Sequence, residues 1–544
     1  MLLRILLCWG AFFFSMPTSV AQTVEPTSAE LLAEIQALRR RVEELESRQQ
    51  DTHVRAEPTQ AAAQKPKRKP KKIEAEAEDA SGAWAAVQPQ PYDPAPVLQQ
   101  AATSVPGLRP PEPMGSQYED ALRSDLPGIS MRVPGTNTEV RAYGFAKTSA
   151  HRDFNGRNQS DAPPPFAIPL TGSLADIQGG DFGMTARFSR IGMDTRTLTS
   201  YGTLETRFEG DFGGGAPVSN NAVFRLRQAW AELGTDQFRV LFGQANSLWN
   251  DGIYETLNDA TNLNQSFVRQ PQIRATARFA PGLTGQVSLE WPDTQYTSRD
   301  GVITTGGGFA GGLSPAFTSV PDALARLTYR HDGLEIDARG LLRQVSIRTA
   351  GTAAAPPAFS EDVLGGGAAG RVLFPMRWMS DAFGPDQLIG MAYYGEGLGR
   401  YFAGNSNGQD AISSVGLPFE DPSLDAVSAY GATLAYRRFW TPELRSNFAY
   451  SYAWHDYPDY ALSFTPGSAS ATLLNSEIQQ GIVNLIWSPF AEVRGTTVDT
   501  GWLDVGLEYV YAERDVFGGA AATGTAGEGS GKANRIYGAV IGRF

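Results

Sequence analysis

From Glu139 to the last residue, apolar and polar positions alternate with a period of two, in segments of roughly ten residues. Between Leu204 and Phe212, for example, Leu204, Phe208 and Phe212 fall on one side while Glu205, Arg207, Glu209 and Asp211 fall on the other. The same alternation runs from Leu334 to Gly340 and from Leu503 to Tyr511. Single segments of this kind are weak signals, and it is the repetition that predicts a sheet protein. Candidate strands begin near residues 139, 183, 202, 224, 238, 270, 283, 323, 334, 361, 386, 425, 444, 477, 503 and 534, which makes about sixteen.

A soluble sandwich would also alternate, so the connections decide between the two architectures. Long links alternate with short ones: Asn155 to Gly180 and then Leu198 to Tyr201, Gly213 to Val223 and then Thr235 to Gln237, Asn250 to Arg269 and then Pro281-Gly282. Pro292 to Asp322 is followed by His331 to Gly333, and Tyr401 to Leu424 by Thr441 to Glu443, although the short links at 377–385 and 491–502 are longer than ideal. Long external loops and short periplasmic turns predict an all-β fold, a transmembrane antiparallel barrel over residues 138–544. An even strand count places both chain ends in the periplasm. The terminal Phe544 looks like an assembly signal of such barrels, and Phe448, Tyr450, Tyr452 and Trp454, beside Tyr430 and Tyr436, are expected in the interfacial girdles.

The first residues carry Arg4, an apolar run from Ile5 to Phe14 and the small residues Ser19 to Ala21, which predicts a signal peptide over 1–21. The single cysteine, Cys8, falls inside it, so disulfide and thiol chemistry is not expected of the rest. No later stretch reaches the roughly eighteen apolar residues of a spanning helix, which leaves a barrel as the way to cross a membrane. Over 28–48, Ile35 and Val42 occupy a positions and Leu31, Leu38 and Leu45 occupy d positions of a heptad. This predicts a short N-terminal coiled-coil helix, with a lone amphipathic helix as the alternative. Residues 49–133 read as a disordered Pro/Ala/Lys-rich linker. Its basic stretch Lys65 to Lys72 is either a solvated charge run or a contact for an anionic partner such as peptidoglycan or a lipid surface.

The whole chain has a net charge of -12, which argues against nucleic acid as a partner. The interior pattern is different. If the apolar positions face outer-membrane lipid, then Arg190, Arg196, Arg207, Arg225, Arg227, Arg239, Arg274, Arg278, Arg326, Arg339 and Arg343 face the lumen. Such a ladder of guanidinium groups favours small anionic solutes, carboxylates above all, which arginine grips through paired hydrogen bonds. The plainer reading is that these arginines brace the wall through Asp194, Glu205, Glu209, Glu335 and Asp337, and the two are compatible. The connection from Asn250 to Gln265 lies between the fifth and sixth strands, where porins fold a loop inward. Asp251, Glu255 and Asp259 are therefore candidates for a constriction loop facing the arginines.

The runs Arg187 to Thr197, Gly202 to Phe212, Arg225 to Trp230 and Leu241 to Asn246 resemble the DcaP-like trimeric porins, most sharply over residues 183–250 and in layout over the whole barrel. The resemblance implies a homotrimer, a sixteen-stranded barrel behind a coiled coil that Leu31 to Leu45 would match, and passive uptake of small anions such as dicarboxylates. The long Lys/Pro linker and several loops depart from that pattern, so solute identity does not carry over. Other classes find little support in the residues. The four histidines, His53, His151, His331 and His455, sit in no nucleophile or metal-ligand motif, so neither an enzyme, a metal site nor a cofactor is expected. A structural anchor tethered to the cell wall through the coiled coil and basic linker is the alternative to a solute channel, but an anchor does not need the arginines.

Overall fold

The fold described here comes from a computed structural model and covers residues 128–544 with 124 and 126, apart from 159, 216–221, 253, 305–313, 350–357, 407–408, 419, 495–496 and 520–528. The expected signal peptide, the coiled coil and all but the end of the expected linker lie outside these residues.

Sixteen strands close into one antiparallel barrel. They are β1 (Thr138–Asn155), β2 (Phe182–Thr185 and Arg190–Thr199), β3 (Gly202–Gly214), β4 (Val223–Gly234), β5 (Phe238–Asn246), β6 (Arg269–Ala280), β7 (Leu283–Glu290) and β8 (Asp322–His331). The second half is β9 (Leu334–Thr349), β10 (Phe359–Pro375), β11 (Gln387–Glu396), β12 (Ser428–Phe439), β13 (Leu444–Asp456), β14 (Asn475–Trp487), β15 (Leu503–Val516) and β16 (Ser530–Arg543). Each pairs with its neighbours in sequence, and β16 returns to β1 through Phe145 opposite Arg543 up to Asn155 opposite Asn534. Phe544 completes the closure, exchanging backbone hydrogen bonds with Gly144 at 3.1 Å in both directions. Strand β2 is broken by a turn in which the Ser189 N–H donates to the Ala186 carbonyl, and there Arg187 turns to Asp161. The end of the expected linker is ordered as well: Ile129–Arg132 pairs antiparallel with Glu139 to Ala142 of β1.

The alternation sorts the two faces of the sheet. Outward positions such as Phe208, Phe242, Ile273, Leu327, Leu342, Leu434, Leu485 and Leu507 are exposed, as the apolar band of a membrane barrel requires. Tyr430 and Trp454 stack on this outer face at 5.1 Å, with Phe448 and Tyr450 exposed beside them.

The turns at the end that carries the chain terminus are short for local reasons. In the turn between β8 and β9, Asp332 (φ 45°) and Gly333 (φ 86°) both take the left-handed conformation that a two-residue hairpin matched to strand twist demands. Asp332 accepts from Arg377 at 2.5 Å and from the Trp378 indole, which ties this turn to the longer link between β10 and β11. These hydrogen bonds hold the exposed Asp332 carboxyl below its ordinary range. At the other end the connections are long, and two of them matter below: loop three, residues 247–268, and loop six, residues 397–427.

Candidate functional site: the barrel interior

Charges inside a barrel gain from cross-strand pairing, because inward residues of adjacent strands stand directly opposite each other. Strands β1 to β4 use this in stacked rows. In one row Arg141, Asp194, Arg207 and Trp230 follow one another across four strands. The Arg207 guanidinium grips Asp194 through two parallel hydrogen bonds of 2.8 and 3.0 Å, and Arg141 reaches the same carboxylate at 2.5 Å. Above this row, Tyr143 lies opposite Gly192, where a β-carbon would come within 2.3 Å of the ring. The bare glycine thus lets the tyrosine lie flat along the wall. Its hydroxyl donates to Glu209 at 3.1 Å, while Arg141 and Arg207 stand 5.2 and 5.4 Å from its ring centre. Arg207 is also 5.7 Å from the ring of Trp230.

The remaining predicted arginines of the first strands fill out this wall. Arg190 pairs with Glu209 at 3.4 Å. A bulge where Glu209 and Gly210 face Gln228 and Leu226 re-aims β4, so that Arg225 and Arg227 both turn to Asp211. Arg239 sits among Glu205, Glu232 and Asp236 at 3.3 to 3.7 Å. Three cations differ from the rest. Among the described residues, Arg196, Arg274 and Arg278 have no ion pair; Arg274 instead donates to Gln272 and to the Asn246 carbonyl.

Arg326, Arg339 and Arg343 lie on the other side and touch loops. Loop three runs back into the barrel, and three successive strands hold its first limb by its backbone. Arg339 Nη1 donates to the Trp249 carbonyl at 2.5 Å, Arg326 to that of Asn250 at 2.9 Å, and Arg371 to those of Asp251 and Gly252 at 2.6 and 3.2 Å. All three guanidiniums also converge on one buried carboxylate, Asp337, at 2.9 to 3.0 Å. Arg343 holds loop six, through Asp410 at 2.5 Å and the Gly397 carbonyl at 2.9 Å.

The acids expected of a constriction loop are themselves engaged. Asp251 lies 3.5 Å from Arg339, Glu255 takes Arg445 through two bonds of 2.8 and 2.6 Å, and Asp259 meets Lys147 at 2.7 Å. Glu508, on β15, receives the loop tip: it accepts from the N–H groups of Leu257 and Asn258 and from the Asn258 side chain, at 2.6 to 3.0 Å. The loop therefore follows the inner wall from β8 round to β15 and touches β1 through Lys147. An apolar cluster backs it, with Leu248, Trp249 and Tyr254 of the loop packed on Met391, Tyr393, Ala435, Ala449 and Ile482 of the wall. Arg371, Arg445, Lys147, Glu508 and Tyr143 escape the sequence reading. The first two lie beyond the ninth strand, and the alternation that places their strands is the signal by which both could have been found. Among the described residues no group of His, Cys, Asp or Glu is arranged to hold a metal ion.

Comparison with solved structures bears on this architecture. The chain superposes on the outer membrane channel DcaP of Acinetobacter baumannii with a TM-score of 0.56 and 22% identity, over 75% of this chain and 98% of that one. This chain has the DcaP fold. An anion-selective porin from Comamonas acidovorans (TM-score 0.43, 8% identity, 75% of this chain and 100% of that one) and Salmonella typhi OmpF (0.42, 10%, 76% and 99%) are more distant matches. No protein-family model and no curated protein matches the sequence. The DcaP likeness fixes the architecture, a closed sixteen-stranded barrel, and the polar rows and inward loop just described are read within it.

Proposed function

We propose that this chain is an outer-membrane porin through which small hydrophilic solutes diffuse passively, with a preference for anions such as dicarboxylates, and that it works as a homotrimer with its N-terminal region in the periplasm. The observation that carries this reading is the division of the interior. Loop three is gathered against strands β8 to β15, while on β3 and β4 the Arg207 side chain keeps 18% of its surface and that of Arg225 37%; Arg190 and Arg227 keep less, and Arg239 on β5 is buried. Most of these guanidiniums are paired, so the preference is set by the cations that lack an ion pair, Arg196, Arg274 and Arg278, and by the N–H groups the pairs leave over. In a narrow aqueous path with low-dielectric walls such groups lower the barrier to an anion more than an equal number of surface charges would.

Planar-bilayer recording of the purified protein under a salt gradient, then with added succinate, tests this. Conductance in three equal steps, a reversal potential on the anion side and interruption by succinate are expected. Folded protein without conductance would overturn the porin reading in favour of a structural anchor tethered to the cell wall, for instance to peptidoglycan. Conductance with no anion preference would overturn the selectivity alone.

A further inference from the structure

Loop six also enters the barrel. Its segment from Gly399 to Ser406 descends inside the wall, and Tyr401, Phe402, Asn405 and Ser406 are buried to within 3% of complete. It packs on both limbs of loop three. On the first limb, Tyr401 and Phe402 meet the Trp249 ring edge-on at 6.1 and 5.9 Å. On the returning limb the two backbones touch: a β-carbon on Gly404 would stand 2.7 Å from the carbonyl oxygens of both Thr261 and Asn262.

Between them Asn264 and Asn405 are joined reciprocally. The Asn264 N–H donates to Asn405 Oδ1, and Asn405 Nδ2 donates to Asn264 Oδ1, both at 2.9 Å. Asn405 Nδ2 also donates to the Tyr393 hydroxyl at 2.8 Å, and Asn264 Nδ2 to the carbonyls of Ala432 and Tyr452 at 2.9 Å each. Asn264 holds a left-handed φ of 61°, which asparagine adopts more readily than most residues, and both side chains are fully buried. A pair of buried amides satisfied in this way fixes one geometry, because any other leaves donors and acceptors without partners.

We infer that loop six is a wedge that positions the constriction, with Asn264 and Asn405 as the positioning residues: loop three does not set the aperture alone but is held to the wall by a second loop that enters from outside. This rests on the porin reading. Its consequence is a channel with one quiet conductance level, whose width is controlled from a loop more than a hundred residues away in sequence.

Single-channel recordings on wild type, Asn405→Ala, Asn264→Ala and the double variant test it, with Gly404→Ala as an independent lever that keeps the amide pair but forces the two backbones apart. Correct folding of each is checked by heat-modifiable migration. Expected are open-channel noise increased roughly two-fold and extra conductance levels in each single variant, with the effect of the double variant less than the sum of the singles, because the bonds between the two amides are lost in either one. Folded Asn405→Ala and Gly404→Ala channels that both keep the single level and noise of wild type would overturn the wedge. A wild-type protein that does not conduct would instead overturn the porin reading, so the two failures are distinguishable.

Discussion

Arg207 and Arg339 look interchangeable in sequence: each lies in mid-strand, two positions after an acid (Glu205 and Asp337), and each turns inward. In the barrel they do different things. Arg207 stands in the row on β1 to β4, sharing Asp194 with Arg141, and its side chain is 18% exposed. The Arg339 side chain is 1% exposed and donates to the Trp249 carbonyl of loop three, beside Asp337 and Asp251. One wall thus carries guanidiniums toward the open side, and the other uses the same side chain as a clamp. The lesson is that an inward arginine is not by that fact a selectivity residue. What decides is whether a loop carbonyl reaches it first.

The sharpest test of this contrast is Arg339→Ala against Arg207→Ala. Removing Arg339 leaves the buried Asp251 without the one ion pair it makes among the described residues, although Asp337 keeps Arg326 and Arg371, and costs about 3–5 kcal/mol, whereas Asp194 keeps Arg141 when Arg207 is removed, and the cost is held to about 1.5–3 kcal/mol. The urea midpoint of the heat-modifiable band measures both. Equal losses would erase the distinction between clamp and open wall.

A smaller effect is expected at the loop tip. Among the described residues Glu508 has no cation against it, and it serves as acceptor for the Leu257 and Asn258 N–H groups and for Asn484. Glu508→Ala should cost about 1.5–3 kcal/mol, the range for hydrogen bonds to a charged group, and should raise open-channel noise, because the tip then relies on Lys147 and Arg445. A quiet Glu508→Ala channel would mean that the tip is fixed by those two alone.

Selectivity is where the open wall should answer and the clamp should not. Replacing Arg207 and Arg227 together by Ala should reduce the anion-to-cation permeability ratio by roughly two- to five-fold, read from the reversal potential in a salt gradient. An unchanged reversal potential in the folded double variant would show that these rows only brace the wall.

How far the sequence leads follows the range of the interactions. Strand positions and faces are local: the alternation from Leu204 to Phe212 already separates Phe208 from Arg207, and the structure agrees in strand number and order. The clamp is not local. Arg339 meets Trp249 across ninety positions and Arg445 meets Glu255 across a hundred and ninety, and no period in the chain encodes such pairs. The descent of loop six is hidden for the same reason. Yet Tyr401-Phe402 inside a long external connection is an apolar pair that water would not favour, and it is the residue-level hint that this loop folds inward.

The smallest expected effect is also the cleanest, because it concerns a cation with no ion pair to break. Arg196 stands opposite Glu139 on one side and Glu205 on the other in strand register, but among the described residues it makes no ion pair with either. Arg196→Ala should therefore leave stability within about 0.5 kcal/mol of wild type, while removing a charge that a passing anion would feel. The signature is a loss of anion preference that grows as salt is lowered. At an ionic strength of 0.01 M the screening length is about 30 Å and the missing charge acts across the lumen, whereas at 1 M it is about 3 Å and the variant should match wild type. A shift that persists at 1 M salt would mean that Arg196 contacts the solute directly, which would move it from the background field of the open wall into its binding surface.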